Sequence, residues 1–322
     1  MSPKTRPDQR DGRGSGASDP AQIPSPGWRD VLTRTGRAVK SDQVPLLAAG
    51  VGFFGLLALV PALAALISLY GLVGDPSLVE TRVADLMSGA PREARELVTS
   101  QARSILEQGD AKVGVGLVVS VVLALWAASS GMKHLVDAVN LAYDEDETRG
   151  FLRVRTLSVL LTLGLILFVG VAIFASAGLP ALGADGSAAR SVFSAIRWGV
   201  LALGMVSAMA ALYRYAPDRG RPKWAWTSPG ALGAALLWIV GSVLFSIYTA
   251  NFASYNETYG VLGGVVITML WLYLTAFAVI AGAELNCEAE RQTAVDSTTG
   301  RPRQIGERDA YAADTAGPAT TS

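Results

Sequence analysis

Long runs without charge constrain this chain more than any other feature. No Asp, Glu, Lys or Arg occurs in the 32 residues between Asp42 and Asp75, in 20 from Val113 to Met132, in 29 from Thr156 to Ala184, in 33 from Trp224 to Asn256, or in 26 from Thr258 to Ala283. A sixth run, Ser191 to Tyr213, is broken only by Arg197. Crossing a hydrocarbon core of about 30 Å takes roughly 20 helical residues. Lipid offers backbone N–H and C=O groups no partner, so each run must close its hydrogen bonds within itself as a helix. The expected fold is an all-α membrane protein: a bundle of six transmembrane helices with short interfacial amphipathic helices. The spans fall at about 44–72, 113–131, 155–178, 192–213, 227–250 and 260–284, inside a transmembrane domain of 44–286.

Charge placement gives the orientation. Lys plus Arg equals Asp plus Glu, 27 against 27, so net charge points to no nucleic-acid partner. With the N-terminus in the cytoplasm and six crossings, 20 Lys and Arg face the cytoplasm and seven face the other side. That asymmetry satisfies the positive-inside rule and predicts both termini in the cytoplasm.

The tails, 1–27 and 287–322, are poor in aliphatic residues and rich in Gly, Pro, Thr, Asp and Arg. Such composition predicts disorder, and the first 27 residues show no apolar signal-peptide core. Between tail and first span, at 28–43, Trp28, Val31, Leu32, Thr35 and Val39 recur at helical spacing. Arg29, Arg34, Arg37 and Lys40 decorate the other faces, which suits a basic amphipathic helix lying on the membrane or a helical stub leading into the span. Residues 75–112 carry two apolar stripes and predict two short amphipathic helices outside, too little chain for a catalytic domain. The lone Cys287 excludes an internal disulfide.

Several motifs, taken in order, resemble the YihY/virulence factor BrkB family. They are Trp126-Ala-Ala-Ser129-Ser-Gly131 with Leu135, Ala138, Asn140 and Tyr143; Tyr213-Arg-Tyr-Ala-Pro217 with Trp224; and Pro229-Gly-Ala-Leu232 with Trp238. Phe245, Tyr248, Tyr259-Gly260, Trp271-Leu-Tyr273 and Gly282-Ala-Glu-Leu-Asn286 complete the series. The resemblance covers about 30–290 and implies a six-span protein of the bacterial cytoplasmic (inner) membrane. Relatives usually hold a Tyr and a Ser where this chain has Gly52-Phe-Phe-Gly55-Leu-Leu-Ala58, so a hydroxyl role there does not carry over. The family long bore a ribonuclease label. A zinc nuclease needs clustered His and carboxylate ligands, and this chain has one histidine, His134. The sequence predicts no enzyme, no cofactor and no metal.

Ionisable groups within spans are the natural site candidates. Glu284, followed by Asn286, is readable as a proton or cation site, as an ion-pair partner of Arg214, or as a carboxylate emerging into water. Asp137 and Asn140 share a helix face and, with Ser129, Ser130 and His134, either line a polar entrance or satisfy one another between packed helices. Arg197 either snorkels outward or faces a cavity attractive to an anionic head group, a site that the outer-end cluster Asn251, Tyr255, Asn256 and Glu257 would complete unless these are belt and loop residues. Pro61 is a candidate hinge. Gly260 to Gly264 and Gly230 to Ala234 are small-residue pairs suited to close helix crossings or, in second place, to a homo-oligomer interface.

With no GxxxxGK[ST] phosphate loop, ATP does not drive the protein directly. The leading expectation is a protein whose partners are membrane lipids, moving or binding an amphiphilic or lipid substrate of the cell envelope. The alternative is a membrane scaffold or assembly partner, and a lipid-active enzyme comes third. A polar transport route predicts Glu284, Asp137, Asn140 and Arg197 in one connected cavity.

Overall fold

A computed structural model of the chain describes residues 12–73, 115–181, 187–251 and 261–320, with side chains described for 12–59, 122–123, 125–171, 198–249 and 263–320. These residues form eight α-helices and no named strand. They are α1 (Ser25–Ser41), α2 (Val44–Val73), α3 (Val115–Ala142), α4 (Phe151–Ala181), α5 (Ser187–Tyr215), α6 (Trp224–Asn251), α7 (Val261–Glu290) and the short α8 (Tyr311–Asp314). The expected helices in 75–112 lie outside the described residues.

Six of these helices, α2 to α7, are 28 to 31 residues long. At about 1.5 Å per residue each exceeds the thickness of a hydrocarbon core. The stricter test of length plus apolarity is met, among the described residues, by Phe151–Val171, Trp224–Thr249 and Gly263–Glu290, with a fourth if α1 and the start of α2 form one bent span. Six spans are therefore not all visible on that test. α3 carries Lys133 and Asp137, and α5 carries Arg190, Arg197 and Arg214 within its length.

The helices pack in chain order, α2 on α3, α3 on α4, and so on to α7, which closes the ring against α2 and also touches α3. Among the described residues, a core cluster lies at the end of the bundle that carries the tails, where Val44, Val136, Tyr213, Ala234 and Ile280 are buried. Farther along α6 and α7, Leu236, Val240, Val243, Leu244, Val265 and Val266 are exposed, as apolar side chains facing lipid are. Glycines set the close approaches. A Cβ on Gly52 would lie 3.0 Å from the Tyr273 backbone nitrogen, and one on Gly131 would lie 3.0 Å from Ala58 Cβ. Gly264 has open space around it, so that half of the expected Gly260 to Gly264 seam is not packed.

Gln43 ends α1 with φ 52°, a left-handed conformation unusual for a side chain of this size, and α2 leaves at 63° to α1. The buried stripe of α1 is Gly27, Asp30, Val31 and Arg34. The helix lays this face on α7, and Arg34, one of the four cations set off the apolar stripe in sequence, is the one it buries deepest.

Disorder of both tails is not what the structure describes. Residues 12–27 and 287–320 fold over the tail-bearing end of the bundle. The Ala294 N–H donates to Ser15 O, Lys223 N–H to Ser297 O, Thr299 N–H to Arg221 O and Gly317 N–H to Arg291 O. Asp296 accepts from the N–H groups of Thr298 and Arg303, and Arg308 donates to the carbonyls of Ala313 and Ala294. The composition rule counts only aliphatic burial. Here backbone pairing and arginine bonds to carbonyls replace it.

Candidate functional site

Two regions stand out: a polar cap at the tail-bearing end and an apolar groove between α6 and α7. The cap is built by the last turns of α7, which place Glu284, Asn286, Glu288 and Glu290 beyond a charge-free run, all at most 4% exposed. Glu288 is held on both oxygens, Oε2 by Arg34 Nε at 2.5 Å and Oε1 by Arg291 Nη1 at 2.5 Å. Glu290 accepts from Arg219 Nη2 at 2.7 Å and from the Ser297 hydroxyl at 2.6 Å. The Arg219 guanidinium in turn lies 5.0 Å from the Tyr143 ring centre. Buried charges are tolerated when paired this completely. Sequence reading missed this set. Its signal was present, because two carboxylates closely follow a charge-free run and a basic loop, 214–223, is free to meet them.

Glu284 differs. It is 2% exposed, and its Oε1 has no hydrogen-bond partner. The side chains around it are acidic: Asp42 at the end of α1, Asp144 after α3, and Glu288 one turn on. The expected partner Arg214 is elsewhere; it donates to the Pro222 carbonyl and lies 4.7 Å from the Trp224 ring centre.

Asn286 bonds α7 to the backbone of α6 beside Pro229. Pro229 lies inside α6 and lacks an N–H, which loosens the ladder around it. Gly230 N–H donates to Asn286 Oδ1 at 2.6 Å, and Asn286 Nδ2 donates to Thr227 O at 3.3 Å. Asn140 plays a similar part for a loop: its Nδ2 donates to Glu147 Oε2 at 2.9 Å, and its Oδ1 accepts the Asp218 N–H at 2.8 Å.

Of the residues expected at a polar entrance, His134 Nδ1 lies 3.8 Å from Asp137 Oδ2, while the others have partners elsewhere. Asp137 is one-third exposed and pairs with Lys133 at 2.6 Å. His134 stacks on Phe54 with ring centres 3.7 Å apart. Ser130 faces α4, with Arg155 Nη1 3.4 Å from its hydroxyl, while Arg155 itself covers the Trp126 ring at 4.0 Å. Glu284, Asp137 and Asn140 thus occupy separate environments. The side chains of Arg197 and Pro61, and the cluster Asn251 to Glu257, lie outside the described residues; Pro61 falls within the continuous helix α2. Among the described residues, no group of three or more His, Cys, Asp or Glu is arranged to hold a metal ion.

Loop carboxylates around the cap are tuned by burial and by arginine. Burial pushes Glu145 up to about 7, against the opposing Tyr311 N–H and Arg219 charge. Burial acts the same way on Glu147, but bonds and charge from Arg149 outweigh it and hold that carboxyl below its usual range.

The groove has a volume of about 510 Å³ and is lined by Leu237, Gly241, Phe245 and Tyr248 of α6 and by Leu270, Tyr273, Leu274 and Phe277 of α7. Gly241 makes room for it, and the rings of Phe245 and Tyr248 stack at 6.4 Å. Trp238 donates its indole N–H to Thr275 Oγ1 at 3.0 Å, so this aromatic seam is satisfied internally. The size falls in the range typical of small-molecule sites, roughly 300–1,000 Å³.

Apolar helices of this length, packed in a ring, define an all-helical membrane protein. The sequence comparisons carry that class to a family: residues 35–305 match the virulence factor BrkB family model, and the chain belongs to that family. It is 34% identical over 250 residues to a Bacillus subtilis protein named as ribonuclease-like, YfkH, covering 74% of this chain and 87% of that one. It is 27% identical to a UPF0761 membrane protein of Photobacterium profundum, covering 84% of each. A UPF0761 membrane protein of Vibrio cholerae is 34% identical over 43% of this chain and 47% of its own length. No solved structure matches the chain.

Proposed function

We propose that this is a six-span protein of the bacterial cytoplasmic membrane, with both termini in the cytoplasm, that binds and moves an amphiphilic or lipid substrate of the cell envelope. It works without ATP and without catalysing a reaction. The observation that carries this reading is the apolar, aromatic-lined groove between α6 and α7, whose Leu237, Tyr248 and Leu270 are 40%, 49% and 41% exposed. A site open along its flank accepts an acyl chain from the bilayer without dehydrating it through water. The ribonuclease-like name of the Bacillus relative is not extended to this chain, whose single histidine is stacked on Phe54. Reconstitution into liposomes with a panel of labelled lipids tests the proposal. Accelerated leaflet exchange of at least one lipid class supports it, and exchange at the protein-free rate across the panel contradicts it.

Two observations favour a scaffold instead: Glu284, Asp137 and Asn140 have separate partners or none, and residues 12–27 and 287–320 build a folded surface on one end of the bundle. A scaffold predicts no lipid exchange but stable co-purification of other envelope proteins, lost when exposed residues of 299–307 are substituted.

A further inference from the structure

The last two turns of α7 hold buried carboxylates of two kinds. Glu288 and Glu290 have both oxygens engaged by arginines or a hydroxyl. Glu284 is buried as deeply, keeps an unpartnered Oε1, and meets the carboxyl of Asp42 where a cation would be expected. An unpaired carboxylate in such a place costs several kcal/mol as an anion, and two carboxyls in contact cannot both ionise cheaply. The economical arrangement is one proton held between them. We infer that Glu284 and Asp42 form a proton-binding site at the tail-bearing end of the bundle.

The surroundings fit proton exchange with water. Asp42 is half-buried at the end of α1, and Asp144 is exposed on the loop after α3. Buried Glu284, partly open Asp42 and surface Asp144 form a graded series of carboxyls from the interior outward. Although its side chain reaches solvent, partial burial, with Asp42 next in weight, pushes Asp144 up from its usual range. Of the nearby arginines, Arg291 acts on Asp144 and opposes that rise, as does the Tyr311 bond. Arg34 and Arg291 are both committed to Glu288, and Arg291 also lies 5.4 Å from the Tyr311 ring centre. The other titratable group beside Glu284 is Cys287, buried on α7 itself. Asp42 adjoins Gln43, the left-handed residue at the 63° junction between α1 and α2. Loss of the proton therefore loads a second negative charge onto a hinge between two elements.

The proton site stands independently of transport; its use as the coupling ion rests on the transport reading above. The test is infrared titration of the full chain in lipid nanodiscs, with and without carbon-13 glutamate. In a Glu145→Gln background, a protonated-carboxyl C=O band that moves on glutamate labelling, persists after surface carboxyls have ionised and vanishes in Glu284→Gln is the expected result. In Asp42→Asn the midpoint of that band should move about one pH unit toward acid, a roughly tenfold loss of proton affinity, as the shared negative charge is removed. Should Glu284→Gln not fold, the Asp42→Asn midpoint decides alone. An unlabelled band, a band unchanged in Glu284→Gln, or an unmoved midpoint in Asp42→Asn overturns the inference. A normal band with no lipid exchange leaves the proton site intact and removes only the transport reading.

Discussion

At the scale of single residues, Asn286 shows how a polar side chain inside a membrane bundle is used. Its amide serves both a donor and an acceptor beside Pro229, so Asn286→Leu removes one buried bond from Gly230 N–H and one from Thr227 O. Each lost bond costs about 0.5–1.5 kcal/mol. The variant should melt well below wild type in detergent, whereas the half-exposed pair changed in Asp137→Asn should cost less than about 1 kcal/mol. Glu145 gives a pH signature. Its carboxyl is raised from 4.5 to about 7 in the folded chain, so the folded state binds the proton more tightly. Its contribution to stability is complete below 4.5 and is lost as pH rises through about 7. Thermal midpoints measured across that window should fall with rising pH, and Glu145→Gln should flatten the slope. Sequence pattern exposed Glu284 and Asn286 as anomalies because both end a charge-free run. It did not reveal which would be paired, since Gly230 and Thr227, the partners of Asn286, lie 56 and 59 residues away in the chain.

At the scale of elements, the crossing of α6 and α7 rests on glycine. A Cβ on Gly282 would collide with the Tyr213 hydroxyl and lie 2.8 Å from Ala234 Cβ, and one on Gly230 would strike the Gly282 carbonyl. Gly282→Ala should therefore destabilise by about 1–3 kcal/mol through overpacking, read as a lowered thermal midpoint, while Gly264→Ala, with open space, should be near neutral. The Gly230 to Ala234 pair was legible as a seam. Its partner Gly282 was not, because spacing within one helix says nothing about which neighbour it meets. α1 is held differently, through Arg34, which reaches Glu288, Gln292 and the Pro318 carbonyl. Removing one member of a buried pair costs roughly 3–5 kcal/mol. Arg34→Ala should release α1 together with residues 12–24, detected as new protease cleavage in 12–41 on an otherwise folded bundle.

For the whole molecule, the long helices were legible because the solvent dictates them: lipid excludes charge from any segment that crosses it. The folded cap was not, since composition measures aliphatic content and the cap is held by carbonyls, carboxylates and arginines from segments far apart in sequence. The groove was not legible either, because lipid-facing and groove-facing residues are equally apolar. Lipid binding by this protein requires the groove to be a binding site and not merely a crease in a lipid-facing surface. The direct measurement is cross-linking of a photoactivatable phospholipid to the full chain in nanodiscs, with peptide mapping. The account predicts label concentrated at Leu237–Tyr248 and Leu270–Phe277, competed by unlabelled lipid and lost in Leu237→Trp. Equal, non-saturable labelling of the exposed α4 face at Leu160, Leu165 and Leu167 would contradict it.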